Sequence, residues 1–487
     1  NEDVIMKRLA GIATGVDDGT LHGCASIGPD YERPIVETDP QWAASSDLAF
    51  NSAEPDGIAT WWTTLNDPVL DDLVERAFAA NLDLATAVQR VRQAAAIRGI
   101  SAGERFPDLD GTGSYSRERQ GQNGFPALAE PTEFESFALG LEFGWELDVW
   151  GRVRRLVESA DAELAATLED LHDVRLILAA EVASEYVGLR TAQQRLKVAR
   201  RNIEIQRQSF SLTTVRFENG AAPQLDVAQA VTILAYSESD LPSIQSDLRD
   251  RTLRLAVLLG ANPTALLDEL SELGDIPSPP EAIAVGIPAD VLRRRPDVRG
   301  AERQLAAEVA RIGVELGDLY PRFSLSGTLQ FNSTNSGSVL DADSLSFGIG
   351  PSFAWNIFDG GRVRNSVRAQ EAAADIAAIE YRAAVLSALE SVESAMFRHA
   401  RQIERTTALE RASTAAGQSA DLSRQLYLEG RSDFQNVLDS ERELFAAQDT
   451  LILSQSEVTT TYITLQRSLG GGWSPQQEAE SADDTKD

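Results

Sequence analysis

The 487-residue chain has a single cysteine, Cys24, so neither an intramolecular disulfide nor a thiolate zinc cluster can form. Its three histidines, His22, His172 and His399, stand in no H-E-x-x-H pattern, and none has another His within metal-ligand spacing. G-x-S-x-G, Walker A and G-x-G-x-x-G sequences are missing as well. These absences argue against metal, triad and nucleotide enzymes; no catalytic residue, cofactor site or metal site is assigned. Positive charge is scarce: 44 Lys+Arg stand against 75 Asp+Glu, a net of −31, and only three of the 44 are lysine. Such a chain repels phosphate backbones, so nucleic acid is excluded as a partner. There is no run of 18 apolar residues, hence no transmembrane helix in the sequence. Proline is absent between Pro131 and Pro223 and between Pro351 and Pro475, which leaves room for very long helices.

At the N-terminus a basic pair (Lys7, Arg8), a short apolar stretch (Leu9 to Val16) and Leu21-His22-Gly23-Cys24 read as a lipoprotein leader over residues 1–23. Cys24 is then the lipidated, palmitate-bearing first residue of the mature chain. The alternative is a tail with an incidental cysteine, since Asp17 and Asp18 interrupt the apolar region. One acyl-modified residue gives marginal membrane affinity, so it acts as an auxiliary anchor.

The chain repeats itself. Gly151-Arg152-Val153-Arg154 recurs as Gly361-Arg362-Val363-Arg364, an offset of 361 − 151 = 210. The same offset relates Trp145 to Trp355, Gly220 to Gly430 and Gly260 to Gly470. Upstream, Phe106-Pro107 matches Tyr320-Pro321 and Gly99 matches Gly313 at offset 214, so a loop between 107 and 145 absorbs the change. Each repeat carries two alternating segments. Phe137 to Leu147 alternates with small or polar residues, and so do Phe323 to Phe331 and Leu345 to Ile357; a shorter glycine-rich segment spans Leu109 to Tyr115. Period two at these lengths fits tilted membrane β-strands of roughly 9–11 residues, with aromatic residues at the strand ends. Residues 117–133 and 332–343 are expected as loops.

After each strand pair comes a proline-free stretch, 151–219 and 361–429, long enough for a helix of roughly 100 Å. Gly220 and Gly430 mark turns into returning helices. The returns are split: 223–259 with 288–318, and 432–469 with 68–105. One chain thus offers four strands, whereas a closed single-chain membrane barrel needs at least eight. An open edge in lipid leaves backbone groups unsatisfied, so the chain must oligomerise. Helices rich in Ala, Glu, Arg and Gln suit a hollow, water-filled wall.

Taken in order, several segments resemble those of the TolC/OprM-like outer-membrane efflux proteins, in particular the lipoprotein branch associated with RND-type systems. They are Gly28-Pro29-Asp30-Tyr31-Glu32-Arg33-Pro34, Trp61-Trp62 through Asn66-Asp67-Pro68, and Asn81-Leu82-Asp83-Leu84. They continue with Arg294-Arg295-Pro296-Asp297-Val298-Arg299, Tyr320 to Gly327, Phe358 to Arg362, and Tyr427-Leu428-Glu429-Gly430 before Val437-Leu438-Asp439. The resemblance covers about Cys24 to Trp473. It implies a mixed α/β membrane protein: a homotrimer with a twelve-stranded outer-membrane β-barrel and a periplasmic tunnel of α-helical hairpins. It also implies an acidic gate at Asp439. A second acidic position is Asn436 here, with Asp226 as its counterpart in the first repeat. Tyr427 matches a residue that helps hold the gate helices, and Gly220 and Gly430 match the tips where a periplasmic adaptor (membrane fusion) protein docks. Trp61 and Trp62 read as packing residues.

The domain division expected is a leader (1–23), an N-terminal extended segment (24–67), a first repeat (68–270), a linker (271–287), a second repeat (288–470) and an acidic C-terminal tail (471–487). The leading function is a passive export duct served by an inner-membrane RND-type transporter, doing no chemistry itself. The alternative is a trimeric periplasmic coiled-coil scaffold without transport. Uncharged outward strand faces from Phe137 to Trp145 and from Leu345 to Ile357 favour contact with outer-membrane lipid.

Overall fold

The computed structural model describes residues 26–36, 39–43, 50–51, 57–121 and 132–473. Cys24, the leader and tail residues 474–487 lie outside the described residues. The elements are β1 (Phe50–Asn51), α1 (Pro68–Ala80), α2 (Leu82–Gly103), β2 (Asp108–Gln120), β3 (Thr132–Leu147), α3 (Arg152–Glu218) and α4 (Gln224–Leu258). They continue as β4 (Ile283–Ala284), α5 (Pro288–Arg294), α6 (Pro296–Gly317), β5 (Arg322–Ser333), β6 (Leu345–Ala354), α7 (Arg362–Leu428) and α8 (Phe434–Ser468). Helices α3 and α7 each have 67 residues, and α4 and α8 each have 35. Both pairs start 210 residues apart (362 − 152 and 434 − 224). No described helix is long and apolar enough to cross a membrane.

Two compact units are present. Among the described residues, the first is drawn from 26–32, 97–161 and 306–375, and the second from 33–96, 162–305 and 376–473.

In the first unit β2-β3-β5-β6 form one antiparallel sheet in that order. Residues directly opposite share a face, so the register decides what each face carries. Leu139 faces Gly113 and Phe331; Leu141 faces Gly111 and Leu329; Phe323 faces Phe353; Leu329 faces Phe347. Between the levels of Phe137 and Leu147 that face is apolar on all four strands, and Phe347, Ile349 and Phe353 are exposed; beyond Phe137 the same face turns charged, with Arg117, Arg119, Glu133 and Glu135. The other face carries Asp110, Thr112, Glu142, Thr328, Gln330 and Ser346 in mutual register. Glu146 on this face takes two 2.9 Å hydrogen bonds from Arg152.

Strand β2 extends to Gln120 and β3 begins at Thr132, so Arg117 to Gln120 and Thr132–Glu133 are strand and not the expected loop. Their charges pair across the ladder: Arg117 lies 2.8 Å from Glu133 and Arg119 3.7 Å from it. At the opposite end β6 stops at Ala354, three residues short of Ile357. Trp145 and Trp355 each donate an indole N–H back to a main-chain carbonyl, of Arg105 and Leu319 at 3.0 and 3.1 Å. The separations, 355 − 145 = 210 and 319 − 105 = 214, reproduce both sequence offsets.

The Gly28-Pro29-Asp30 motif earns its place in this unit. Arg155, with a side chain only 3% exposed, donates to the carbonyls of Ile27 and Gly28 and to Asp30 Oδ1. Gly28 has φ +97°, and a Cβ there would sit 2.6 Å from Gly313 Cα. The glycine pair lets the N-terminal segment lie against α6.

The second unit holds the main core, in which Trp61 and Trp62 pack with Leu70, Tyr186, Leu255 and Tyr462. Residues 58–65, expected as extended, form 3₁₀ turns kinked at Thr60 that bury both tryptophans. Two helices expected as continuous are divided. Asn81 is extended between α1 and α2; its Oδ1 caps Leu84 N and its Nδ2 donates to Leu258 O. Arg295, ahead of Pro296, is extended as residues before proline tend to be, and it divides α5 from α6. Its guanidinium reaches Asp297, Ser391 and the carbonyl of Ser468. Pro242, by contrast, sits inside α4 on its exposed side, where solvent can take up the freed carbonyl. The parallel pair Phe50–Asn51 with Ile283–Ala284 completes this unit.

Candidate functional site at the hairpin tips

The expected gate residues all lie in the second unit, around the turns that join α3 to α4 and α7 to α8. Both turns are built alike. Gly220 (φ 68°) and Gly430 (φ 69°) adopt the left-handed conformation that glycine accepts most easily. Gly220 N donates to Phe217 O at 2.9 Å and Ala221 N to Arg216 O at 2.7 Å. Gly430 N donates to Tyr427 O at 3.0 Å and Arg431 N to Leu426 O at 2.8 Å. This paired closure satisfies the last carbonyls of a helix and ends it sharply.

Around the second turn a small core gathers Tyr427, Phe434, Val437, Leu438 and Ala230. Tyr427 packs its ring on Phe434, 5.3 Å between centroids, and the Arg216 guanidinium lies over the Tyr427 ring, 4.4 Å from its centroid. Arg216 Nη1 also donates to Tyr427 O at 2.8 Å. Tyr427 thereby joins α3, α7 and α8 through its ring and carbonyl. Its hydroxyl is buried beside Thr213 without a hydrogen bond of normal geometry, and burial raises its pKa.

Asp439 and Asn436 both stand exposed on α8. Asp439 accepts from Gln435 Nε2 at 2.9 and 3.0 Å, and Arg442 lies 3.5 Å from its Oδ1. Gln435 Oε1 in turn accepts from Gln229 of α4 at 3.0 Å, so a line of side chains crosses from one hairpin to Asp439. Asn436 donates to Ser432 Oγ at 3.0 Å. Asp226, half-buried on α4, has its pKa raised by burial first and then by the Asp433 carboxylate, while Arg216 opposes the shift. The structure thus brings Tyr427 and Asp226 to one cluster around Arg216, and holds Asp439 one turn of α8 further along on an open face.

Other residues singled out by the sequence serve the scaffold. His172 stacks on Trp473 at 4.4 Å beside Glu169, and Arg299 covers the same indole. His399 is buried and bonded to Thr461; burial lowers its pKa to about 4, which keeps the ring neutral. Among the described residues no group of three or more His, Cys, Asp or Glu side chains could hold a metal ion. Sequence reasoning missed Arg216, Gln435, Ser209, Arg424 and Glu441. Nothing in their spacing marks them, because each acts through a partner on another helix.

The model of the outer membrane efflux protein family matches residues 73–261 and 287–471. Nodulation protein T of Rhizobium leguminosarum bv. trifolii is 31% identical over 460 residues, covering 94% of this chain and 97% of that protein. The pyoverdine export outer membrane protein OpmQ of Pseudomonas aeruginosa is 30% identical over 481 residues, covering 97% and 98%. The solved outer-membrane channel OprN shares the fold with a TM-score of 0.86 at 36% identity, over 93% of this chain and all of that one. With a two-faced antiparallel sheet, paired 67-residue helices and this match along both repeats, the chain belongs to the outer membrane efflux protein family.

Proposed function

We propose that three copies of the chain assemble into an exit duct through the outer membrane, with the α3/α4 and α7/α8 hairpins forming a periplasmic tunnel. The two-faced sheet carries this reading. Between the levels of Phe137 and Leu147 one face is apolar and the other polar, and the edges β2 and β6 have no partner strand among the described residues. Lipid does not tolerate unsatisfied backbone edges, so β6 of one copy pairs with β2 of the next, and four strands from each of three copies close a twelve-stranded barrel. From Phe137 to Leu147 the apolar face of β3 rises roughly 34 Å, which a tilt of about 40° reduces to the roughly 25 Å of an outer-membrane apolar band. The polar face then lines water.

The duct does no chemistry; an inner-membrane RND-type transporter supplies the energy, and a periplasmic adaptor docks at the tips marked by Gly220 and Gly430. Asp439 forms a ring of three carboxylates at the constriction, attractive to cations and repulsive to anions. Asn436 leaves a second ring uncharged, and Tyr427 with Asp226 holds the helices behind it. A lipidated Cys24 adds an anchor in the outer-membrane lipid. Detergent-extracted protein should give a native mass of three chains and form channels in planar bilayers. There Asp439→Ala should raise single-channel conductance and weaken block by divalent cations. A stable soluble monomer with intact strands would contradict the assembly.

A further inference from the structure

Two residues beyond Asp439, Glu441 is 1% exposed. Its Oε1 accepts from Ser209 Oγ of α3 at 2.9 Å and from Arg424 Nη2 of α7 at 2.6 Å, while Oε2 is buried without a partner. One carboxylate on α8 therefore touches two of the other helices that meet there, α3 and α7. Packing alone does not call for this residue: a buried ion pair is costly to desolvate, and an apolar side chain of similar volume commonly packs as well or better. The equivalent position in the first repeat (441 − 210) is Val231, which is exposed.

Residues two apart on a helix point about 200° away from each other, so Glu441 grips the back of α8 while Asp439 occupies its open side. The Arg424 contact lies within the α7/α8 hairpin, whereas the Ser209 contact crosses to the α3/α4 hairpin. Near the tip the other crossings are Arg216 to the Tyr427 carbonyl and Gln229 to Gln435. Of these three crossings, only that of Glu441 places a carboxylate in the interior.

We propose that Glu441 is a positioning residue, a clasp that fixes α8 against α3 and α7 and so sets where the Asp439 carboxylate stands. This rests on the reading that Asp439 lines the constriction. Separation of the hairpins breaks the Ser209 arm and leaves the Arg424 arm intact, so the clasp biases the tip toward the docked arrangement.

The test records single channels of the full-length assembly in planar bilayers for Glu441→Met, Glu441→Gln, Ser209→Ala and Asp439→Ala, with thermal melting of each in detergent. Glu441→Met should raise the ratio of open to closed dwell time about tenfold, the size expected for losing a hydrogen bond to a charged group, with some loss of melting temperature because Arg424 is left without its carboxylate. Glu441→Gln keeps an acceptor oxygen for Ser209 and Arg424 and should gate nearer to the unaltered protein. Ser209→Ala should shift gating in the same direction as Glu441→Met by a smaller factor, and it serves as the readout if the Met variant melts early. Unchanged gating in both Glu441→Met and Ser209→Ala, or no rescue by Gln, would overturn the clasp. If Asp439→Ala raises conductance while those variants do nothing, the clasp alone fails. If Asp439→Ala also does nothing, the constriction reading fails and the clasp falls with it.

Discussion

The two hairpin tips share a backbone and differ in what they bury. Gly220 and Gly430 have φ angles within a degree of each other and the same pair of closing hydrogen bonds. At equivalent positions Phe217 is 42% exposed while Tyr427 is 5% exposed, and Val231 is 46% exposed while Glu441 is buried. Asp226 is half-buried where Asn436 is exposed, and Asp439 stands in the open where Gln229 is half-buried. Local rules fix the turn: a glycine at positive φ and two carbonyls to satisfy. They say nothing about which side of each hairpin faces its neighbour. That choice is made by packing, and it puts the aromatic ring and the carboxylate inside at the second tip only.

The contrast can be broken most severely at the aromatic pair. Tyr427→Ala should cost about 3–5 kcal/mol, as large-to-small changes in a core do, whereas Phe217→Ala should cost about 0.5 kcal/mol. Chemical denaturation of the assembled protein in detergent measures both, and equal losses would erase the distinction between the tips. Next in size are the turns themselves. Gly220→Ala and Gly430→Ala should each cost about 1 kcal/mol, and should cost the same, because the φ angles match. Unequal losses would mean that the two backbones are not equivalent. Tyr427→Phe should change stability by less than about 0.5 kcal/mol, since the hydroxyl has no hydrogen bond of normal geometry to lose. A large loss there would return the role to the hydroxyl.

The smallest expected effect is a pH dependence at Asp226. Its folded pKa is raised by burial and by Asp433, so the folded tip binds this proton more tightly than the unfolded chain does. Ionised Asp226 therefore weakens the tip at neutral pH. Stability should rise as pH falls through the raised pKa and should level off below the unfolded value, near about pH 4. Asp226→Asn should remove this component from the curve of melting temperature against pH, and an unchanged curve would assign it to other groups.

Much of the fold was legible in the sequence because it rests on local chemistry. Glycines 220, 260, 430 and 470 end their helices, and the alternation from Phe137 to Leu147 is the alternation of sheet faces. What the sequence hides is the pairing of side chains on different elements. Arg117 and Arg119 read as loop residues in sequence, and only the ladder sets them against Glu133. Asn81 could be recognised as a helix break only through its bond to Leu258, which lies 177 residues away. The tip followed the same rule. Its glycines and Tyr427 could be read from motif and repeat, but Arg216, Arg424 and Ser209 acquire meaning only when four helices converge.

The central claim is that the second tip, not the first, forms the constriction. It is tested most directly by single-channel current from Asp439→Cys and Gln229→Cys, each in a Cys24→Ser background so that no other thiol is present. A bulky thiol reagent should reduce the Asp439→Cys current in discrete steps, one for each subunit around the pore, and leave Gln229→Cys nearly unaffected. Stepwise loss of current in Gln229→Cys with none in Asp439→Cys would contradict it.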